Sequence, residues 1–125
     1  MIYTVCEASQ KLGIPSSTIR FYDKQGLLPF LERSPGGVRM FTDADIKRLQ
    51  DILTLKDAGF AIKEIARFIR LEDEGEASLP LRLGMLRHRC SEVETEIAKL
   101  QSTFHTLKQK CRYYEDMIEK TNSPF

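Results

Sequence analysis

The chain is poor in cysteine, has no long apolar run and carries almost no net charge. Each shortage removes a class of protein. Three cysteines, at positions 6, 90 and 111, are an odd number and make no disulfide framework of the kind small secreted domains use. No stretch approaches the roughly 18 apolar residues of a membrane span, and the N-terminus lacks a secretory pattern. A cytoplasmic location with no membrane partner is therefore expected. Paired carboxylates, a nucleophile–base set and a phosphate-binding glycine loop are all missing, so an enzyme is not expected. The formal net charge of +1 does not by itself point to nucleic acid.

Charged residues make up 30% of the 125 positions and hydrophobic ones 42%, which places the chain among soluble globular proteins rather than disordered ones. At this length it forms one compact domain, or a small domain with a helical extension. The charge is unevenly spread. Residues 1–70 hold 11 Lys/Arg against 8 Asp/Glu, net +3, and residues 71–125 hold 8 against 10, net −2. A basic N-terminal part is a modest nucleic-acid footprint that a dimer would double.

The basic part centres on Ser16–Leu28. This stretch reads as a short helix in which Ile19 faces a core and Tyr22 or Asp23 falls on the opposite side. Ser17, Thr18 and Arg20 then stand near its exposed start, and Gly26 stops it. Arg can grip guanine O6 and N7, and Ser or Thr can donate to base edges or phosphates, so such a helix suits a major groove. Thr4-Val5-Cys6-Glu7 is a capping box that opens an earlier helix with Val5, Ala8 and Leu12 as its apolar face. Cys6 is expected at the edge of that face or against the next helix. Gly13 and Pro15 separate the two helices in the manner of a helix-turn-helix.

Beyond Gly26, Leu27-Leu28-Pro29 and Val38-Arg39-Met40-Phe41 read as two short strands around the turn-rich segment Glu32–Gly37. They form a hairpin wing whose Arg33 and Arg39 could neutralise phosphates flanking the groove. Thr42 caps a third helix with Ile46, Leu49, Ile52 and Leu53 as its buried stripe, ended by Gly59. A fourth helix is expected from Ala61 to Arg70, burying Ile62, Ile65, Ala66 and Ile69, with a polar hinge at Glu72–Glu76.

The last third is a strict heptad. Leu79, Leu83, Leu86, Cys90, Val93, Ile97, Leu100, Phe104, Leu107, Cys111, Tyr114 and Ile118 succeed one another at alternating spacings of four and three. A lone helix cannot bury such a seam, so Leu83 to Ile118 are expected to pair with a second copy as a coiled coil. His88 and His105 fall on outer heptad positions and read as solvated rather than ligating.

The ordered set Thr18-Ile19-Arg20-Phe21-Tyr22, Gly26-Leu27-Leu28, Arg39-Met40-Phe41 and Leu55-Lys56-Asp57-Ala58-Gly59-Phe60, followed by a long helix, resembles the MerR family of bacterial transcription regulators. The resemblance runs from Ile2 to the end of the heptads. It implies a mainly α fold, with a winged helix-turn-helix DNA-binding domain over 1–74 and, over 75–125, a dimerisation helix with a short tail. It also implies that two such helices run antiparallel in a homodimer. The dimer would bend and untwist double-stranded promoter DNA, so that RNA polymerase, acted on only indirectly, engages both promoter elements. Carried over by position, Ser17, Thr18 and Arg20 face bases or adjacent phosphates. Tyr22 and Arg39 bind phosphate, and Lys56 reaches the backbone near the fourth helix, while Phe21 and Phe41 are assigned to packing. Pro15 and Ala61 stand where the family has polar caps, and an Ala N-cap costs about 0.5–2 kcal/mol.

No cofactor and no metal are implied. Ala77-Ser78-Leu79 occupies the place of the sensing cysteine of metal-responsive members, and Thr54 that of the cysteine of aldehyde-responsive ones. With no cysteine loop or ligand domain before Phe125, neither thiolate metal sensing nor drug binding is expected, and the small-molecule effector stays open. Cys90 and Cys111 share one heptad position. One antiparallel register sets Cys90 against Leu107 and Cys111 against Leu86. A second, with better charge pairing, sets Cys90 against Tyr114 and Cys111 against Val93, so buried structural thiols are expected in either. Two other readings share parts of the pattern: a coiled-coil adaptor and a DNA-architectural protein with a small winged domain. Arg20, Tyr22, Arg39 and Lys56 together argue against the first, and the long helix against the second.

Phe104→Lys places a charge in the seam and is expected to weaken the dimer. Sedimentation that found the variant as fully dimeric as the wild type would remove Phe104 from the interface.

Overall fold

The computed structural model describes residues 1–122. The elements follow in the order α1 (Val5–Leu12), α2 (Ser16–Lys24), β1 (Glu32–Arg33), β2 (Arg39–Met40), α3 (Asp43–Asp57), α4 (Ile62–Asp73) and α5 (Leu79–Asn122). A single 3-10 turn, Gly75–Ser78, precedes α5. One compact unit spans residues 1–85, and a second begins at Leu86 and contains the remainder of α5. The short tail expected at the end of the chain, residues 123–125, lies outside the described residues.

The capping boxes form as the residue order dictates. Thr4 Oγ1 accepts from the Glu7 amide and Glu7 Oε1 from the Thr4 amide, and Thr42 and Asp45 repeat the arrangement at α3. Gly13 closes α1 at φ 67°, a left-handed conformation that glycine adopts without steric penalty. α2 and α4 begin at Pro15 and Ala61 with no side-chain cap, although Glu64 Oε1 accepts from the Ala61 amide. All four helices α1 to α4 send side chains into one core, Ala8, Ile19 and Tyr22, Leu49 and Ile52, Ile65 and Ile69, and Phe41 joins them from just beyond β2. Cys6 is exposed rather than set against the next helix.

Three expectations are corrected here. Leu27 and Leu28 are not strand residues: both are buried in the core, and the Leu28 carbonyl accepts from the Leu31 amide in a turn around Pro29, which has no N–H to give a ladder. The first strand is Glu32–Arg33, paired antiparallel with Arg39–Met40 in the register Glu32↔Met40 and Arg33↔Arg39. Tyr22 does not face away from Ile19. Three helical positions are about 300°, so the two lie within 60° of each other and both are buried. The outward position is that of Phe21, which is exposed and not packed in the core as the resemblance implies.

The polar hinge is also firmer than its composition suggested. α4 runs on to Asp73, three residues past Arg70, and buries Leu71. Ser78, 1% exposed, donates to the Leu71 and Gly75 carbonyls, while Arg82 donates to Ser78 Oγ (3.0 Å) and the Gly75 carbonyl (2.8 Å). Leu55, rather than the half-buried Leu53, completes the buried stripe of α3 with Ile46, Leu49 and Ile52.

α5 has 44 residues, about 66 Å at 1.5 Å per residue. None of its side chains is buried in the single chain, and Leu83, Leu86, Ile97, Leu100, Phe104, Leu107, Tyr114 and Ile118 are exposed, as are Cys90 and Cys111. Beside the seam, one residue before Cys90 and Ile97, Arg89 pairs with Glu96 (3.0 Å).

Glu72 is half-buried, and its carboxyl titrates above the usual glutamate range because burial and the neighbouring Asp51 outweigh Arg48 and Arg82. A raised folded value means that ionisation opposes folding. The wild type therefore loses stability as pH rises from the ordinary value of 4.5 through the raised one. Glu72→Gln is expected to raise Tm at pH 7 and to lose that advantage below about pH 4. Parallel melts of both proteins across this range check it; a gain that persisted unchanged at low pH would refute it.

Candidate nucleic-acid interface

The two faces of α2 divide by helical arithmetic. Ile19 and Tyr22 enter the core, while Ser17, Arg20, Phe21 and Lys24 recur at i, i+3, i+4 and i+7 and form one outward stripe. Burial of Tyr22 packs the helix down; the residue is 5% exposed, and its phenol titrates above its ordinary value chiefly through burial, with Asp57 adding to it.

Across from the stripe stands the wing. Its tip is the Ser34–Gly37 turn, in which the Gly37 amide donates to the Ser34 carbonyl (2.8 Å) and Gly37 takes φ 82°. Its root is held by a bridge between Tyr3 and Phe41, with amide–carbonyl distances of 2.7 and 2.9 Å. Phe41 is fully buried, in accord with its assignment to packing. Tyr3 is fixed in turn, because its hydroxyl donates to Asp43 (2.9 Å), which raises the phenol's pKa.

Arg33 and Arg39 are direct partners in the hairpin register and so share one face. Like charges in that position repel. Asp23, in the last turn of α2, lies between them: its Oδ2 accepts from Arg33 Nη2 at 2.9 Å and from Arg39 Nε at 2.6 Å, and its side chain is only 12% exposed. The carboxylate thus joins the wing to α2. It occupies only the Nε of Arg39, so the two terminal nitrogens of that guanidinium have no partner among the described residues.

The result is a groove between α2 and the wing lined by Ser17, Arg20, Phe21, Asp23, Lys24, Arg33 and Arg39, with four cations against one carboxylate. Four of the seven residues expected to meet DNA, namely Ser17, Arg20, Arg33 and Arg39, are brought together here. Thr18 is half-buried beside them, Tyr22 is under the helix, and Lys56 is exposed in the last turn of α3 outside this lining. Lys24 and Phe21 line the groove as well and are not among the seven expected residues. The helical repeat that starts at Ser17 selects both. Among the described residues no group of three or more His, Cys, Asp or Glu side chains could hold a metal ion, and no helix is long and apolar enough to cross a membrane.

Comparison with known proteins agrees with this architecture. The family model described as "MerR HTH family regulatory protein" matches residues 3–72, and "MerR, DNA binding" matches residues 46–110. A helix-turn-helix transcriptional regulator of Haemophilus influenzae is 36% identical over 92% of this chain and 85% of its own length. The regulator ZntR of Escherichia coli is 31% identical over 86% of this chain and 77% of its own. Among solved structures, HiNmlR, described as a MerR family regulator lacking the sensor domain and bound to promoter DNA, has a TM-score of 0.75 at 36% identity, covering 93% of this chain and 92% of that one. A MerR family regulator of Bacillus thuringiensis has a TM-score of 0.73 at 34% identity, over 91% and 100% of the two chains.

Asp23→Asn is expected to destabilise the chain by about 1–2 kcal/mol, a charge-assisted pair discounted for the exposure of Arg33. The loss should largely vanish in an Arg33→Ala/Arg39→Ala background, since the same contacts are then already gone. Denaturant titration of the four proteins measures the coupling, and equal losses in both backgrounds would show that the ion pairs do not hold the wing.

Proposed function

The chain belongs to the MerR family of helix-turn-helix transcription regulators, and from this we propose that it acts as a homodimer that binds and distorts promoter DNA in response to a signal. The observation that carries the proposal is the cationic groove between α2 and the wing, in which Arg20 and Lys24 have no internal partner among the described residues. Support comes from the similar regulator HiNmlR, which was solved on promoter DNA.

In this reading residues 1–74 bind DNA and the segment from residue 75 joins two copies. α2 enters the major groove, where Arg20 reads a base edge through its forked donors and Ser17 and Thr18 contact bases or adjacent phosphates. The terminal nitrogens of Arg39, with Arg33 beside them, grip phosphates flanking the groove, and Lys56 takes a backbone contact farther along. Tyr22 contributes mainly by holding α2 to the core. Leu83 to Ile118 close the α5 seam against a second copy running antiparallel, which supplies a second reading helix for a two-fold-symmetric site. Bending and untwisting the site brings the two promoter elements into register for RNA polymerase, which is influenced through the DNA.

Selection of binding sites from random duplex DNA, with affinity followed against salt, tests the proposal. A two-fold-symmetric consensus and a log–log salt slope of several units are expected. No enrichment, with weak binding at physiological salt, would overturn the reading and favour a coiled-coil adaptor. On the recovered site, Arg20→Ala should cost about 1–3 kcal/mol and relax preference at one base pair. Unchanged affinity would take Arg20 out of the reading set.

A further inference from the structure

Phe21 is 47% exposed on the outward stripe of α2, between Arg20 and Lys24. Among the seven residues lining the groove between α2 and the wing, it alone is apolar. Its ring also has a defined place, since it sits tilted against the ring of Tyr22, with centroids 6.0 Å apart, and Tyr22 is itself buried. A large hydrophobic side chain held in the open within a cationic groove has no role in the core of this chain.

The polar chemistry of a duplex gives the ring nothing to bind. Phosphate oxygens are repelled by the negative face of an aromatic ring, and the donor and acceptor atoms of the base edges find no counterpart on phenylalanine. The major groove presents one apolar group, the C5-methyl of thymine. The neighbours of Phe21 decide that the groove is where the ring goes: Arg20 precedes it by one residue, and Ser17 and Lys24 lie on the same stripe one helical turn away on either side. Resting on the regulator reading above, we propose that Phe21 is a specificity-determining residue that packs against a thymine C5-methyl and so selects a T·A pair in each half-site.

This can be tested on the methyl alone. With the operator recovered by selection, each thymine of a half-site is replaced in turn by uracil, which keeps every hydrogen-bonding group and removes only the C5-methyl. One position per half-site is expected to weaken wild-type binding by about three- to fivefold, the amount for one methyl group returned to water. 5-Methylcytosine placed opposite guanine elsewhere should not restore the loss. Phe21→Ala and Phe21→Leu should bind the thymine operator more weakly, and Phe21→Ala should treat thymine and uracil alike. Wild-type protein indifferent to uracil at every position would overturn the proposal without touching the regulator reading, as would Phe21→Ala that kept the full preference. The uracil scan needs no variant, so its result stands even where a variant fails to fold. Failure to recover any operator would overturn both readings together.

Discussion

Two arginines directly opposite each other on a two-stranded ribbon repel, and the wing holds its shape because Asp23 stands between them. Strands of two residues cannot hold themselves in water. The root of the wing is tied to Tyr3 and the buried Phe41, but the arm beyond the root is tied to α2 through the Asp23 carboxylate. The spacing of the groove therefore depends on one ion-pair cluster. It also settles which cations are internally committed: Arg33 and Arg39 are each in part engaged, whereas Arg20 and Lys24 have no partner among the described residues.

The helix-turn-helix beneath the groove is held by a core that the helices α1 to α4 share with Leu27, Leu28 and Phe41, so none of those helices is independent of the rest. Pro15 and Ala61 leave α2 and α4 without side-chain caps, and burial of Ile19, Tyr22, Ile65 and Ile69 holds them instead. At the other end of α4 the chain spends buried hydrogen bonds on a corner. Ser78 and Arg82 close the carbonyls of Leu71 and Gly75, which turns a sequence of acidic residues into a defined turn rather than a slack linker.

Much of this was legible in the residues. The capping boxes at Thr4 and Thr42, the glycine stops and the heptads are local signals whose geometry follows from spacing, and the ordered motifs identified the family. What failed did so for physical reasons. Leu27 and Leu28 carry strand-like composition, yet the pull of the core outweighed it and moved the first strand to Glu32–Arg33. Tyr22 and Phe21 were exchanged between core and surface because one residue is about 100° on a helix, so an error of one position reverses a side chain. Asp23 could not be read as a clamp, since its partners lie ten and sixteen residues away and meet it only once the hairpin register is set.

The exposed seam of α5 has a consequence for dosage. A chain that pairs along it as proposed is active only as a pair, so while single chains predominate the amount of active species grows as the square of the amount made. Halving synthesis would then cut promoter occupancy by more than half. Such a regulator converts modest changes in its own expression into steep changes at its target, without any ligand taking part.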